Sequence, residues 1–278
     1  MKQTIQKSSV ILILAIFSIA IISCDKISPP YTQEIATVVT KRKVLLEDYT
    51  GHTCPNCPNA AKEADTIANY LYKDQVVVMA LHVGGFATPY PGAFYYDFRT
   101  TEGTELDNFF ALATSGLPKG MINRAGFPAL THKKAYSTWA NNVFTELSKP
   151  VEAAIEISNT YNQSTNTVIT TVNSKFVEDL SGKYFLSVFY VEDSIIQPQS
   201  TNGGGTISDY VHMHVLRGSF NGTWGEQIAL DPQKDSEVSK TYATPLKTDA
   251  VPKNCRVVAF IYNFDTKEVV QADEKQIQ

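Results

Sequence analysis

Cys54 and Cys57 are the residues whose types and spacing most directly indicate chemistry in this sequence. They lie in the run TCPNCP, between a strand-like and a helix-like stretch, and a C-x-x-C in that position is typical of redox motifs. Unpaired N–H groups and the macrodipole at a helix N-terminus stabilise a thiolate, which is the attacking species. A second cysteine one turn further on is placed to release the product from the mixed disulfide. The spacing therefore predicts thiol–disulfide exchange, with Cys54 as the nucleophile and Cys57 as the resolving thiol.

Other interpretations of the same motif remain open. The main alternative is a structural disulfide between Cys54 and Cys57 on a scaffold whose task is binding. Half of a zinc site or part of an iron–sulfur run fits less well, because the remaining ligands are missing and Cys255 stands alone. We therefore expect no metal and no cofactor at this motif.

Two groups of histidines raise similar choices. His52 precedes Cys54 by two residues, where it either stabilises the thiolate or is an exposed loop residue. His212 and His214 lie two apart in a predicted strand, so their side chains are expected on the same face. That spacing allows a metal site with a third ligand, but strand histidines more often serve packing or hydrogen bonding, and we predict the latter.

The elements that position the cysteines alternate between strand and helix. Strands are predicted at 43–50, 75–83 and 121–124, and the second of these is a buried strand. Helices are predicted at 57–72, 104–113 and 132–147, and the first and third have apolar residues at helical spacing. Strands that alternate with helices predict a mostly parallel or mixed sheet covered by helices. Pro58 suits the first turn of the first helix, where a missing N–H is harmless.

This order of elements resembles thioredoxin. The resemblance implies that Pro118, in the run SGLP before a short strand, forms a cis peptide bond that faces the C-x-x-C and that the adjacent backbone binds substrate. It also implies that Asp48, six residues before Cys54, is the buried carboxylate that accepts and returns the proton of the second cysteine. Glu47 takes that role if the register differs by one. The sequence departs from thioredoxin at Thr53, where that fold has tryptophan, and in the Pro-Asn dipeptide between the cysteines.

An aromatic and proline-rich stretch at 84–103 is additional to the thioredoxin pattern. The stretch is either a lid or docking surface, or a loop that packs onto the domain. Its aromatic residues include Phe94, Tyr95, Tyr96 and Phe98.

After Pro150 the helical signal vanishes and short alternating runs recur. They cover 151–158, 167–176, 183–191, 210–219, 237–242, 256–263 and 267–272. Such runs, separated by turn residues, predict an antiparallel, immunoglobulin-like β-sandwich. The predicted fold class is thus an α/β thioredoxin-like domain followed by an all-β immunoglobulin-like sandwich. We expect Trp224 to anchor the sandwich core and Cys255 to be a buried small hydrophobe.

The N-terminus carries an export signal. A short basic region and an apolar core end at Ile21-Ile22-Ser23-Cys24, the lipobox pattern of a lipoprotein signal peptide. We predict a signal peptide at 1–23, a lipidated tether at 24–40, a thioredoxin-like domain at 41–149 and a β-sandwich domain at 150–278. Acyl chains on Cys24 would hold the chain on a membrane, in an oxidising compartment where disulfides form. A net charge of −4 gives no reason to expect nucleic acid as a partner.

The lipobox, the run VLLEDYTGHTCPNCP and the later run YVHMHVLRGSFNGTWGE together resemble the twenty-eight-kilodalton outer-membrane lipoprotein family of certain Gram-negative bacteria. The resemblance implies an outer-membrane lipoprotein on the periplasmic face or the cell surface, and the founding member was proposed as an adhesin. The sequence therefore indicates two alternative functions. One is thiol–disulfide exchange on exported proteins; the other is a surface adhesin or binding lipoprotein for a host or cell-surface ligand, in which the disulfide is structural.

Overall fold

Strand β1 (Val44–Thr50) lies inside a mixed sheet, and all seven of its residues are buried. The computed structural model describes residues 41–277, so the signal peptide, Cys24 and the tether predicted from the sequence lie outside the described residues. Strand β2 (Val76–His82) runs parallel to β1 with Asp48 opposite Ala80, and β3 (Lys119–Ile122) pairs antiparallel on the other side. Because both faces are covered here, β1 and β2 are buried along their whole length and not only at alternate residues.

Three α-helices occur within residues 41–277. Helix α1 (Cys57–Thr66) continues into a π-helical turn at Ile67–Leu71 and buries Cys57, Ala60 and Ala64. Helices α2 (Thr101–Phe110) and α3 (Trp139–Leu147) follow. The helix predicted at 132–147 is wrong in its first half, because Lys134 exchanges two backbone hydrogen bonds with Gly120 at 2.8 and 3.0 Å instead of entering a helix.

The second half of the chain is all β. A three-stranded antiparallel sheet consists of β4 (Ala153–Asn162), β5 (Thr167–Phe176) and β13 (Glu237–Pro245). The other long strands of this half join the sheet of β1: β6 (Lys183–Glu192), β11 (Val215–Ser219), β12 (Glu226–Leu230), β14 (Cys255–Asn263) and β15 (Val269–Gln276). The described chain is mostly β, with mixed sheets and few helices.

Strands from both sides of residue 150 form one eight-stranded sheet. Its order is β15-β14-β6-β11-β2-β1-β3, with β12 paired to β6. β11 pairs parallel to β2, and the Ala80 N–H donates to the His214 carbonyl at 2.8 Å. The long strands after residue 150 are therefore divided between the three-stranded sheet and this shared sheet. The outer edge of β2 would otherwise expose unpaired backbone groups, and β11 satisfies them.

A buried ion pair reinforces this shared sheet. Arg124, just after β3, donates to both carboxylate oxygens of Glu47 at 2.7 and 2.9 Å, and both side chains are fully buried. The guanidinium lies 5.0 Å from the ring of Phe110 and 4.8 Å from that of Phe260. The ion pair itself lies within the first half of the chain, and the Arg124 guanidinium links it to the second half through Phe260 of β14. Glu47 is paired with Arg124, whereas Asp48 is the carboxyl group on the same side of the sheet as Cys57.

Residues 193–214, between β6 and β11, form a segment that we call the flap. It holds two pairs of two-residue strands, β7 (Ile195–Ile196) with β10 (Val211–His212) and β8 (Gln199–Ser200) with β9 (Thr206–Ile207). The strand predicted across 210–219 is thus interrupted, because His214 has a φ of 56°. His212 and His214 accordingly do not share a regular strand face.

Candidate functional site at the Cys54–Cys57 disulfide

Cys54 and Cys57 are joined by a disulfide at the turn between β1 and α1, with Cα atoms 5.4 Å apart. The turn is tight: the Cys54 N–H donates to Gly51 O at 3.0 Å, and the Cys57 N–H donates to Cys54 O at 3.3 Å. Helix α1 begins at Cys57 with Pro58 in its first turn, so Cys54 precedes the helix by one turn. Cys54 is 0% exposed and Cys57 is 2% exposed. The disulfide is therefore covered on all sides in this conformation.

Asp48 lies on the same side of the sheet as Cys57. It is buried, and its Oδ1 atom has no hydrogen-bond partner within the described part of the chain. Burial disfavours the charged carboxylate and raises the pKa of Asp48 to about 7. A carboxyl group with that pKa both gives and accepts a proton near neutral pH.

A cavity of about 330 Å³ brings Asp48 and Cys57 together. Its floor consists of β1 and β2 residues that share a face at a spacing of two, and its sides come from α1 and the flap: Asp48, Thr50, Val78, Ala80, His82, Cys57, Ala61, Lys62, Asp65, Gln199, Tyr210, His212, Met213 and His214. The cavity has room and polar partners for water molecules that link the two groups.

Neutral histidines form the other polar wall. His82 is buried, and neither ring nitrogen has a hydrogen-bond partner among residues 41–277. Its ring stacks on Phe98 at 4.3 Å and lies 5.4 Å from the ring of His212. Burial lowers the pKa of His82 well below its usual value. The neighbouring imidazoles of His212 and His52 lower it further, because a positive charge on either would repel a proton on His82. Burial likewise lowers the pKa of His212 to about 4, although its Nε2 contacts the Gln197 carbonyl at 3.2 Å.

His52 is buried beside the C-x-x-C turn. Its ring stacks on Phe94 at 5.5 Å, and burial lowers its pKa although Asp97 opposes that shift. The interpretation of His52 as an exposed loop residue is wrong, because its side chain is buried. The lowered pKa disfavours the charged form that would stabilise a thiolate.

The aromatic stretch at 84–103 packs directly on the C-x-x-C turn. Phe86 O accepts hydrogen bonds from the N–H and the hydroxyl of Thr53 at 3.1 and 2.9 Å. A Cβ added at Gly51 would lie 2.5 Å from the Phe86 backbone, so only glycine allows this approach. Phe94 and Phe98 are buried, whereas Tyr95 is exposed, and the Tyr96 hydroxyl donates to Asp249 at 2.6 Å. The stretch covers the turn rather than standing away from it.

Pro118 follows a cis peptide bond at the start of β3. In the antiparallel register with β1, Lys119 lies opposite Tyr49, near the end of β1 that leads to Cys54. Pro118 and the C-x-x-C turn are thus placed at the same end of the sheet.

The second half of the chain and part of the first match a known protein family. The profile of the family "Outer membrane protein Omp28" matches residues 106–278. This chain belongs to the Omp28 family. The matched part of this Omp28-family chain includes Pro118 and the whole flap but begins after Asp48, Cys54 and Cys57. Family membership therefore supports an outer-membrane protein and carries no statement about the disulfide.

Two solved structures from Porphyromonas gingivalis are similar to this Omp28-family chain. HBP35 is 17% identical with a TM-score of 0.65, covering 86% of this chain and 76% of its own. A domain of the outer membrane lipoprotein Omp28 is 26% identical with a TM-score of 0.34, covering 47% of this chain and 91% of its own. The first likeness shows the fold alone. No curated protein matches the chain.

Trp224 and Cys255 both pack within the protein. Trp224 packs on Phe109 at 4.8 Å, and its carbonyl accepts the Tyr262 hydroxyl at 2.7 Å. Cys255 is buried, and burial raises the pKa of its thiol to about 12. Within residues 41–277, no group of three His, Cys, Asp or Glu side chains is placed to hold a metal ion. No helix in that range is long and apolar enough to cross a membrane.

Sequence reasoning missed His82 and Gln199. His82 ends a strand that is otherwise apolar, and a polar residue there is the one signal that pointed to the cavity. Gln199 lies 145 residues after Cys54 in sequence, and nothing local indicates that its side chain bonds to the Cys54 carbonyl.

Proposed function

We propose that this Omp28-family chain is a lipid-anchored outer-membrane lipoprotein that exchanges thiols and disulfides with exported proteins through Cys54 and Cys57. The observation that carries the proposal is Asp48, a buried carboxyl group on the same cavity as Cys57. Burying a polar group without a partner costs free energy, and a purely structural disulfide gives no reason for that cost. A proton donor and acceptor for Cys57 gives one.

The exchange needs no cofactor. In the reduced state, the Cys54 thiolate attacks one sulfur of a substrate disulfide, and the second substrate sulfur leaves as a thiolate. Asp48 then takes the proton of Cys57, whose thiolate attacks the Cys54 sulfur. The substrate leaves as a dithiol, two electrons richer, and the Cys54–Cys57 disulfide forms. The same steps in reverse oxidise a substrate dithiol.

The local architecture supports a thioredoxin-like unit. The parallel β1-α1-β2 arrangement, the antiparallel β3 and the cis Leu117–Pro118 bond lie in the order that the resemblance implies. We assign this unit to 41–149, with Pro118 beside the substrate backbone, and we assign 150–278 to a β unit that shares its sheet. An immunoglobulin-like topology for the second unit is part of the same proposal.

Anchorage through Cys24 completes the proposal. Outer-membrane family membership agrees with the lipobox, and lipid on Cys24 would place the disulfide in an oxidising compartment. The membrane is then one partner, and exported proteins with cysteines are the other.

A direct activity assay tests the function. Wild type should catalyse the reduction of disulfide-bonded insulin by dithiothreitol, whereas Cys54→Ser and Cys57→Ser should not. If the wild type accelerates insulin reduction no more than the two variants do, the exchange function is wrong.

A binding lipoprotein with a structural disulfide is the second candidate, and the complete burial of Cys54 favours it. Its partner would be a host or cell-surface ligand. The reduction potential of the pair separates the two candidates, because structural disulfides in secreted proteins fall below about −300 mV and exchange-active ones lie higher.

A further inference from the structure

Gln199 ties the flap to the C-x-x-C turn. Gln199 is 2% exposed, and its Nε2 donates to Cys54 O at 2.9 Å and to Ser200 O at 3.0 Å, with Gly51 O at 3.4 Å. Next to it, the Ser200 N–H donates to His52 O at 2.9 Å. The contacts therefore reach the backbone of the very turn that carries the nucleophilic sulfur.

Exchange is impossible while the turn stays covered. Thiol–disulfide exchange requires a thiolate to reach a sulfur of the disulfide, so its rate depends on access. Cys54 is 0% exposed. Part of its cover must move before a protein substrate can react.

The flap is the part of the cover that is built to move. Its strands are pairs of only two residues each, and the tip at 202–209 is exposed throughout. Segments with few buried contacts and short hydrogen-bonded ladders open at low free energy. The Phe86 side of the cover differs, because its backbone is in close contact with Gly51 and two hydrogen bonds fix Thr53 to it.

We propose that the flap is a gate over the Cys54–Cys57 disulfide and that Gln199 is its latch, a positioning residue that controls when Cys54 is accessible. Release of the Gln199 amide from the Cys54 carbonyl lifts β8 and exposes the sulfur. The gate regulates the exchange proposed above and rests on that function for its purpose, but its opening is a property of the disulfide itself.

Reduction by a small reagent tests the gate without any protein substrate. The oxidised full chain is mixed with dithiothreitol, and free thiols are counted by alkylation and mass spectrometry over time, with Cys255→Ala as the common background. Gln199→Leu keeps the size of the side chain and removes both N–H donors, so we expect reduction roughly tenfold faster than wild type, a change equivalent to ~1.4 kcal/mol. The control is Gln197→Leu on the same flap, whose side chain makes no hydrogen bond within the described residues, and we expect the wild-type rate.

Hydrogen exchange on the unsubstituted chain gives a second measurement. The peptide that contains Ser200 should exchange at least roughly a hundredfold faster than the peptides of β14, because the flap opens without global unfolding. Equal reduction rates for wild type and Gln199→Leu, or flap amides as protected as those of β14, overturn the gate. A chain that is gated yet inactive on insulin contradicts the exchange function instead, so the two failures are distinguishable.

Discussion

Asp48 on β1 and Cys57 at the start of α1 line one cavity, although the two side chains reach it from different elements. The sheet positions Asp48, and the start of the helix positions Cys57 on the same cavity. The same cavity is closed on its far side by flap residues that lie more than a hundred positions later in the sequence. The proposed exchange assigns the proton transfer with Cys57 to this carboxyl group.

The first prediction concerns Asp48 and pH. Its pKa is about 7 in the folded chain and near 3.8 when unfolded, so the folded state binds more protons between these values and wild-type stability falls as pH rises through that window. Asp48→Asn removes this loss, and its stability relative to wild type should increase by roughly 4 kcal/mol from pH 4 to pH 8. Urea unfolding of the oxidised proteins at both pH values measures it. A stability difference that is the same at pH 4 and pH 8 contradicts the raised pKa.

Asp48→Asn should also slow disulfide exchange without abolishing it, since the thiols remain and only the proton relay is lost. Thr50→Val, at another residue that lines the cavity, serves as the control for altered packing.

The second prediction concerns His212, whose shift has the opposite sign. The pKa of His212 is about 4 in the folded chain and 6.5 in the unfolded chain. The contribution of neutral His212 to the free energy of unfolding is therefore fully present above pH 6.5 and is lost as the pH falls toward 4. The pKa values of the neighbouring His82 and His52 are also lowered, whereas the hydrogen bond to the Gln197 carbonyl raises the pKa of His212. His212→Gln should therefore flatten the acid side of the stability profile by up to roughly 3 kcal/mol. An NMR titration in which the His212 ring protonates near pH 6.5 would contradict this account.

The third prediction tests the buried Glu47–Arg124 ion pair. Glu47→Gln leaves Arg124 buried without its charge partner and should destabilise the chain by about 3–5 kcal/mol, as removal of one member of a buried pair usually does. Arg124→Met in the same background should recover part of that loss, because the unpaired charge is gone. Guanidinium unfolding gives both values. A loss below roughly 1 kcal/mol for Glu47→Gln would mean that the pair is not part of the shared core.

The sequence carried much of the local structure. A uniformly apolar run located β2, the strand-like run KVLLEDYT located β1, and the C-x-x-C located the start of α1. The spacing of Asp48 from Cys54 placed it on the correct strand. It could not show that β11 pairs with the outer edge of β2, because strand order depends on contacts between residues far apart in sequence and not on local pattern. For the same reason it missed Gln199, and it treated the run from Tyr210 to Ser219 as one strand because the positive φ of His214 leaves no local mark.

The fourth prediction concerns anchorage. Labelled fatty acid should be incorporated into the wild-type chain in cells and lost in Cys24→Ala, since acylation requires that thiol. Cys255→Ala should retain the label and thus controls for the loss of any cysteine. Labelling that survives Cys24→Ala would exclude this residue as the lipid attachment site.

The central claim is that Cys54 attacks substrate disulfides and Cys57 resolves the intermediate, and trapping of mixed disulfides tests it most directly. In a Cys255→Ala background, Cys57→Ser should accumulate disulfide-linked complexes with exported proteins, because the intermediate can no longer be released. Cys54→Ser should accumulate almost none, because the attacking thiolate is absent. Non-reducing gels of cells treated with an alkylating agent measure the complexes, and a reducing agent should dissolve them. Equal trapping by both variants, or none by either, contradicts the account and favours a structural disulfide in a binding lipoprotein.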